Sequence, residues 1–202
     1  MASSNKAAYL VIFEGYADWE PANALAELRR WGKREVRTVG FTSAPVVSMA
    51  GLRVLPDTEL ARVRPEDIEL LLIPGGDLWQ SGDYPREELA ALIKALVRAE
   101  TPVAAICAGT LVLARIGLLD GRRHTSNALE YLTKYGEPYR GTSNYEDAPA
   151  VRDRHVITAS GLAPVDFARA IFAELSIFSA TNEAQWFQMF KYGRIPDGIP
   201  ST

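Results

Sequence analysis

The chain holds 202 residues, 48% of them hydrophobic and 23% charged, with a net charge of −3. That length suits one domain with a sizeable core, and the small negative charge argues against nucleic acid or an anionic membrane as a partner. No apolar run is long enough to span a bilayer, and the polar opening lacks a signal-peptide pattern. A lone cysteine excludes an internal disulfide, so a reducing, cytoplasmic setting is expected.

In chain order, residues 7–13 are an apolar run of the kind a parallel sheet buries on both faces. Residues 18–31 predict a helix stopped at Gly32, and 35–41 a second strand. Residues 46–55 read as a small hairpin beside the main sheet. A central strand over 69–73 ends at Pro74-Gly75-Gly76, and apolar spacing predicts a helix over 86–99. The run from Thr101 to Ile106 predicts a strand that turns at Cys107-Ala108-Gly109 into an amphipathic helix beginning near Thr110. A short strand over 123–126 and a helix over 127–135 follow. The last strand is expected over 155–159. Helices are expected over 164–176, with Pro164 suited to a first turn, and over 181–192. Residues 7–193 read as one domain, with 1–6 and 194–202 as flexible or irregular tails. Strands alternating with helices imply a parallel sheet covered on both faces, and ligands of such sheets sit beyond the carboxyl ends of the strands.

Three marked segments fall at such ends: Phe13-Glu14-Gly15-Tyr16, Pro74-Gly75-Gly76-Asp77 and Cys107-Ala108-Gly109-Thr110. The third has the shape of a nucleophile elbow with Cys in place of Ser. A helix dipole behind it would favour the thiolate; the competing reading is a buried cysteine acting as a small hydrophobe. Acyl chemistry on sulfur needs donors where an oxyanion develops, and the amides of Gly76 and Ala108 are the natural pair. Glu20, in the first turn of the first helix, either serves the helix dipole in water or turns inward to move a proton at the thiol. Asp18 is the competing acid and also a plain N-cap. Of the two histidines, His155 is expected at the surface and His124 has only a minor claim to catalysis. Trp19, Trp79 and Tyr16 are candidates for pocket walls, or simple packing.

The order and spread of several motifs resemble the DJ-1/PfpI superfamily, the branch of proteins similar to class I glutamine amidotransferases. They are Val11-Ile12-Phe13-Glu14-Gly15 with Glu20, Leu72-Ile73-Pro74-Gly75-Gly76-Asp77, Ala104-Ala105-Ile106-Cys107-Ala108-Gly109, Gly117-Leu118-Leu119-Asp120-Gly121-Arg122-Arg123, and Ile157-Thr158-Ala159-Ser160-Gly161. The resemblance implies a flavodoxin-like three-layer α/β/α sandwich with a mostly parallel sheet and a small side hairpin. It implies a homodimer, Cys107 as reactive centre and Glu20 as the acid that contacts it. Known activities of such proteins include amidase or protease, glyoxalase or deglycase and isocyanide hydratase chemistry, and redox-responsive chaperoning. No cofactor or metal is implied.

Two departures matter. Ala108 stands where protease-like members carry His, and Asn127 stands where others carry His after a Thr-Thr pair. His124 lies three residues earlier, an odd offset that points to the other face of an extended strand. No general base of a Cys-His dyad is evident. The expectation is therefore a cysteine-dependent enzyme for a small carbonyl, amide or isocyanide substrate, with Asn127 orienting it, and a poor protease. The alternative is a non-enzymatic redox sensor or chaperone that uses oxidation of the same cysteine.

Overall fold

The computed structural model describes residues 6–195. Among the described residues, nine strands and seven α-helices form in the order β1 (Ala7–Ile12), α1 (Trp19–Arg30), β2 (Val36–Gly40), β3 (Val46–Val47), β4 (Arg53–Val54), β5 (Thr58–Glu59), β6 (Ile68–Ile73), α2 (Leu78–Ser81), α3 (Arg86–Arg98), β7 (Val103–Ile106), α4 (Thr110–Arg115), α5 (Leu129–Tyr135), β8 (Ala150–Asp153), β9 (Val156–Ala159), α6 (Pro164–Leu175) and α7 (Ala180–Tyr192). Seven strands make one sheet in the order β5-β2-β1-β6-β7-β9-β8. Every neighbouring pair is parallel except β8 with β9. The expected hairpin is the separate antiparallel pair β3–β4. This is the flavodoxin-like α/β/α sandwich.

The central strands read as unbroken apolar runs because helices cover both of their faces. All six residues of β1 and all four of β7 are buried, and Leu70 to Ile73 have no exposed surface. Each such Leu or Ile withdraws roughly 1.5–3 kcal/mol worth of apolar surface from water. Sheet order places the switch point between β1 and β6. The chain leaves β1 toward one edge by way of α1 and leaves β6 toward the other by way of α3. Right-handed crossovers in opposite directions put α1 and α3 on opposite faces. Helix α6 returns to pack against α1.

Three expectations need correction. Residues 123–126 make no strand: His124 forms only an isolated bridge to Tyr145, and Thr125 N–H is taken by the Thr158 hydroxyl at 2.9 Å. Helix α4 is not amphipathic, since Thr110 to Ala114 are all buried; six residues tucked against β7 and α5 have no solvent face to keep polar. Strand β8 was not foreseen, because Arg152 and Asp153 weaken its apolar pattern. Of the expected tails, residues 1–5 and 196–202 lie outside the described residues; Lys6, Arg194 and Ile195 belong to no helix or strand.

Candidate functional site

Adjacent strands bring the site together. The segments leaving β1, β6, β7 and β9 supply Glu20, Pro74-Gly75-Gly76, Cys107 and Gly161, and these four strands are consecutive in the sheet. Cys107 has φ 56°, a left-handed backbone that L-residues avoid. The strain belongs to an elbow that turns from β7 straight into a helical turn over Cys107–Gly109. A side chain at Gly109 would have its Cβ 2.4 Å from the carbonyl oxygen of Ile73, so only glycine lets the elbow approach β6.

Glu20 is 1% exposed. One carboxyl oxygen accepts the Gly75 N–H at 2.5 Å, and the carboxyl shares a hydrogen bond with the Cys107 thiol. Burial raises Glu20 from an ordinary 4.5 to about 7, against the opposing pull of Gly75 and Cys107. Burial also pushes the Cys107 thiol up to about 11, and a charged Glu20 pushes the same way; Asn127 and the Ala108 amide pull it down. Burial here works against the expectation of a thiol ionised by the helix dipole. Desolvation outweighs the few dipoles that a six-residue helix can offer. Two adjacent buried anions repel, so the pair favours one negative charge over two. Moving the thiol proton onto Glu20 keeps that single charge and places it on sulfur.

Asn127 reaches the sulfur. Its Nδ2 lies 3.3 Å from Cys107 Sγ, and its Oδ1 accepts the Gly161 N–H at 2.9 Å. An amide N–H can only donate, so the Gly161 bond sets the Asn127 side chain with its NH2 toward sulfur. The segment carrying it is pinned by Thr110, whose hydroxyl lies 2.7 Å from Ser126 Oγ and donates to Cys107 O at 2.6 Å. Gly75 and Gly161 flank the pair. A Cβ on Gly75 would fall 2.8 Å from both Glu20 oxygens, and one on Gly161 2.7 Å from Cys107 Sγ.

Gly76 N–H donates to no acceptor among the described residues. The neighbouring Gly75 N–H is taken by Glu20. Trp79 and Tyr16 prove to be packing. Trp79 is fully buried, donates its indole N–H to Pro74 O at 2.7 Å and so braces the glycine loop. Tyr16 packs edge-on to Phe13, and Trp19 is half exposed. Asp18 occupies the N-cap position of α1 but makes no capping bond; its Oδ2 accepts from Ser48 Oγ at 2.7 Å.

Neither histidine touches the thiol. His124 is fully buried, with Nδ1 2.7 Å from Arg122 O and Nε2 2.7 Å from Tyr139 Oη. A carbonyl only accepts, so Nδ1 carries the proton and Nε2 accepts from tyrosine; burial lowers its pKa and keeps it neutral. His155 sits at the surface, 2.6 Å from Glu174. We expect His124→Leu to destabilise the fold by about 2 kcal/mol, because it orphans Tyr139 and Arg122 O. Urea unfolding checks the loss, and an unchanged Cys107 alkylation rate checks that the role is structural.

Two residues near the site escaped sequence reasoning. Gly161 was visible only as part of a motif, although its N–H orients Asn127. Tyr131, on α5, hydrogen-bonds Gln80, and burial together with the nearby sulfur pushes its phenol up to about 12. A tyrosine on a short helix carries no sequence signal for such a placement. Among the described residues no cluster of His, Cys, Asp and Glu could hold a metal ion, and no helix is long and apolar enough to cross a membrane.

Comparison with known proteins bears on the family and the fold. The family model described as the DJ-1/PfpI family matches residues 6–174. An uncharacterized protease of Bacillus subtilis strain 168, YoaZ, is 34% identical over 190 residues, which cover 91% of this chain and 90% of that protein. A crystal structure of a DJ-1 superfamily protein from Agrobacterium tumefaciens has a TM-score of 0.85 at 37% identity, covering 94% of this chain and all of the other. A ThiJ/PfpI family protein from Bacillus anthracis has a TM-score of 0.86 at 34% identity, covering 94% and 92%.

Proposed function

The chain belongs to the DJ-1/PfpI family, and from that premise we propose that it is a cysteine-dependent enzyme acting on a small carbonyl, amide or isocyanide substrate. The observation that carries the reading is the buried pair of Cys107 and Glu20, with the carboxyl raised to about 7. A general base works best when its pKa lies near the working pH. As sulfur attacks a carbonyl carbon, its electron pair forms the C–S bond and the carbonyl pair moves onto oxygen. The thiol proton passes to Glu20, which returns it to that oxygen. The Gly76 and Ala108 amides hold the developing oxyanion, and Asn127 steadies the sulfur and orients substrate.

Some relatives are named as proteases. Peptide hydrolysis needs a proton delivered to a departing amine, and here no imidazole bonds to the thiol. Addition to an electrophilic carbon, with no amine to expel, suits the site better than proteolysis, and by the same argument favours a carbonyl or isocyanide over an amide. The reading includes a homodimer, supported by the exposed apolar side chains Met49, Leu52 and Leu55 on and beside the β3–β4 hairpin.

The test is a panel of methylglyoxal, an alkyl isocyanide, simple amides, glutamine and casein. We expect turnover of a small substrate, no measurable casein hydrolysis, and a loss of about tenfold in Asn127→Ala, which removes one hydrogen bond to sulfur. Efficient casein cleavage would overturn the proposal. No turnover of any compound, together with a two-oxygen mass gain on Cys107 under mild peroxide, would select redox sensing instead.

A further inference from the structure

Thr125, Ser126 and Asn127 belong to no helix or strand, and among the described residues none of the three makes a backbone-to-backbone hydrogen bond. Side chains hold them instead. Thr125 N–H donates to the Thr158 hydroxyl on β9 at 2.9 Å, and the Thr125 hydroxyl donates to Ala148 O at 2.8 Å. Ser126 Oγ lies 2.7 Å from Thr110 Oγ1. Thr110, Thr125 and Ser126 are buried, whereas Asn127 is exposed. An exposed side chain samples several rotamers unless both its base and its tip are fixed. The Gly161 N–H fixes the tip of Asn127, and the buried hydroxyls beside it fix the base.

The direction of the hydroxyl chain follows from its protons. Thr110 has one hydroxyl proton and a carbonyl only accepts, so the 2.6 Å bond to Cys107 O uses that proton. The 2.7 Å contact then requires Ser126 to donate to Thr110. The chain runs from Ser126 through Thr110 to Cys107 O and joins segments 16 residues apart. Cys107 O and Ala108 N–H belong to one planar peptide unit. The anchor of the chain is therefore the elbow itself.

We propose that Thr110 and Ser126 are positioning residues for the nucleophile, their buried hydroxyl pair setting the distance between Asn127 and the Cys107 sulfur. The proposal rests on the reading of Cys107 as the attacking group. The pair acts through Asn127, whose Nδ2 is 3.3 Å from Sγ and whose bond favours the ionised sulfur. Removing the Ser126 donor leaves the segment tied to the sheet through Thr125 but no longer tied to the elbow. The base of Asn127 then moves independently of the sulfur, and the contact between them lengthens.

The test is the rate of alkylation by iodoacetamide at about pH 8, where the rate follows the thiolate fraction. Cys107 is the only cysteine and takes all the label. The reaction needs no turnover, so an empty substrate panel leaves this test intact. We expect Ser126→Ala and Thr110→Val each to slow alkylation by about threefold to tenfold, the worth of one hydrogen bond. Thr110→Ser keeps the hydroxyl and should stay within about twofold of the wild type. Asn127→Ala should slow the reaction by about tenfold, and adding Ser126→Ala to it should change the rate by less than about twofold, because both act through one contact. Losses that multiply in the double variant would overturn the proposal. So would a Thr110→Ser rate as low as that of Thr110→Val. A lowered urea midpoint in Ser126→Ala with alkylation unchanged would assign the pair to stability alone and overturn it as well.

Discussion

Replacing Cys107 with Ala is expected to abolish turnover of whichever small substrate the protein accepts, by at least ~10³-fold, because the only nucleophile at the elbow is removed. The same position yields a second readout that does not depend on substrate. Its φ of 56° costs an L-residue free energy that glycine does not lose. Cys107→Gly and Cys107→Ala both lack the sulfur, so comparing them isolates the backbone. The glycine variant should be more stable than the alanine variant by about 1 kcal/mol, measured as a shift in urea midpoint at unchanged slope. Equal midpoints would mean that the elbow holds no strain; undiminished turnover in Cys107→Ala would remove the cysteine from the mechanism altogether.

Glu20→Gln should lower kcat/KM by about 10²–10⁴-fold, the usual worth of a positioned general acid–base group. Glutamine is nearly isosteric and can still accept the Gly75 N–H, so the fold should survive. The same variant carries a pH signature. Glu20 binds its proton more tightly when folded, about 7 against an ordinary 4.5. Its contribution to stability is therefore fully present below about pH 4.5 and is lost as pH rises through about 7, a fall of about 3 kcal/mol. The sign is opposite to that of a carboxylate held by a cation. Unfolding free energies at about pH 5 and about pH 8 should diverge in the wild type and nearly coincide, for this component, in Glu20→Gln. A wild-type curve that is flat or rises across that window would show that Glu20 ionises normally and is not the proton carrier.

The two sets of measurements separate different claims. Loss of activity in Cys107→Ala with no change in Glu20→Gln would keep the nucleophile and discard the acid. Loss in both, with the expected pH dependence, ties proton movement to a carboxyl that burial has made weak.

Much of the architecture was legible in residue pattern. Unbroken apolar runs such as Leu70 to Ile73 mark strands buried on both faces, and alternation with helices dictates a parallel sheet. Glycine beside Cys107 marks the sharp turn, and Pro74-Gly75-Gly76 marks the loop facing it. Glu20 could be named as a candidate on local grounds and by resemblance, Asn127 by resemblance alone, and both lie against the thiol in space. Short irregular pieces were harder. Strand β8 pairs with the adjacent β9, but Arg152 and Asp153 break its apolar pattern, whereas the 123–126 segment depends on partners more than twenty residues away, which no local window contains.

Side-chain chemistry at the site was settled only by tertiary structure. Whether Cys107 is a thiolate depends on how much water burial removes and on whether Glu20 is charged, and both are long-range quantities. The orientation of Asn127 depends on Gly161, thirty-four residues on, and His124 loses its catalytic claim because Tyr139 and Arg122 enclose it. Sequence by itself determined the central strands and which residues stand at their carboxyl ends, since those follow from periodicity and local turn chemistry. Only the folded chain decided where protons reside, because desolvation and hydrogen-bond direction arise from contacts between segments far apart in sequence.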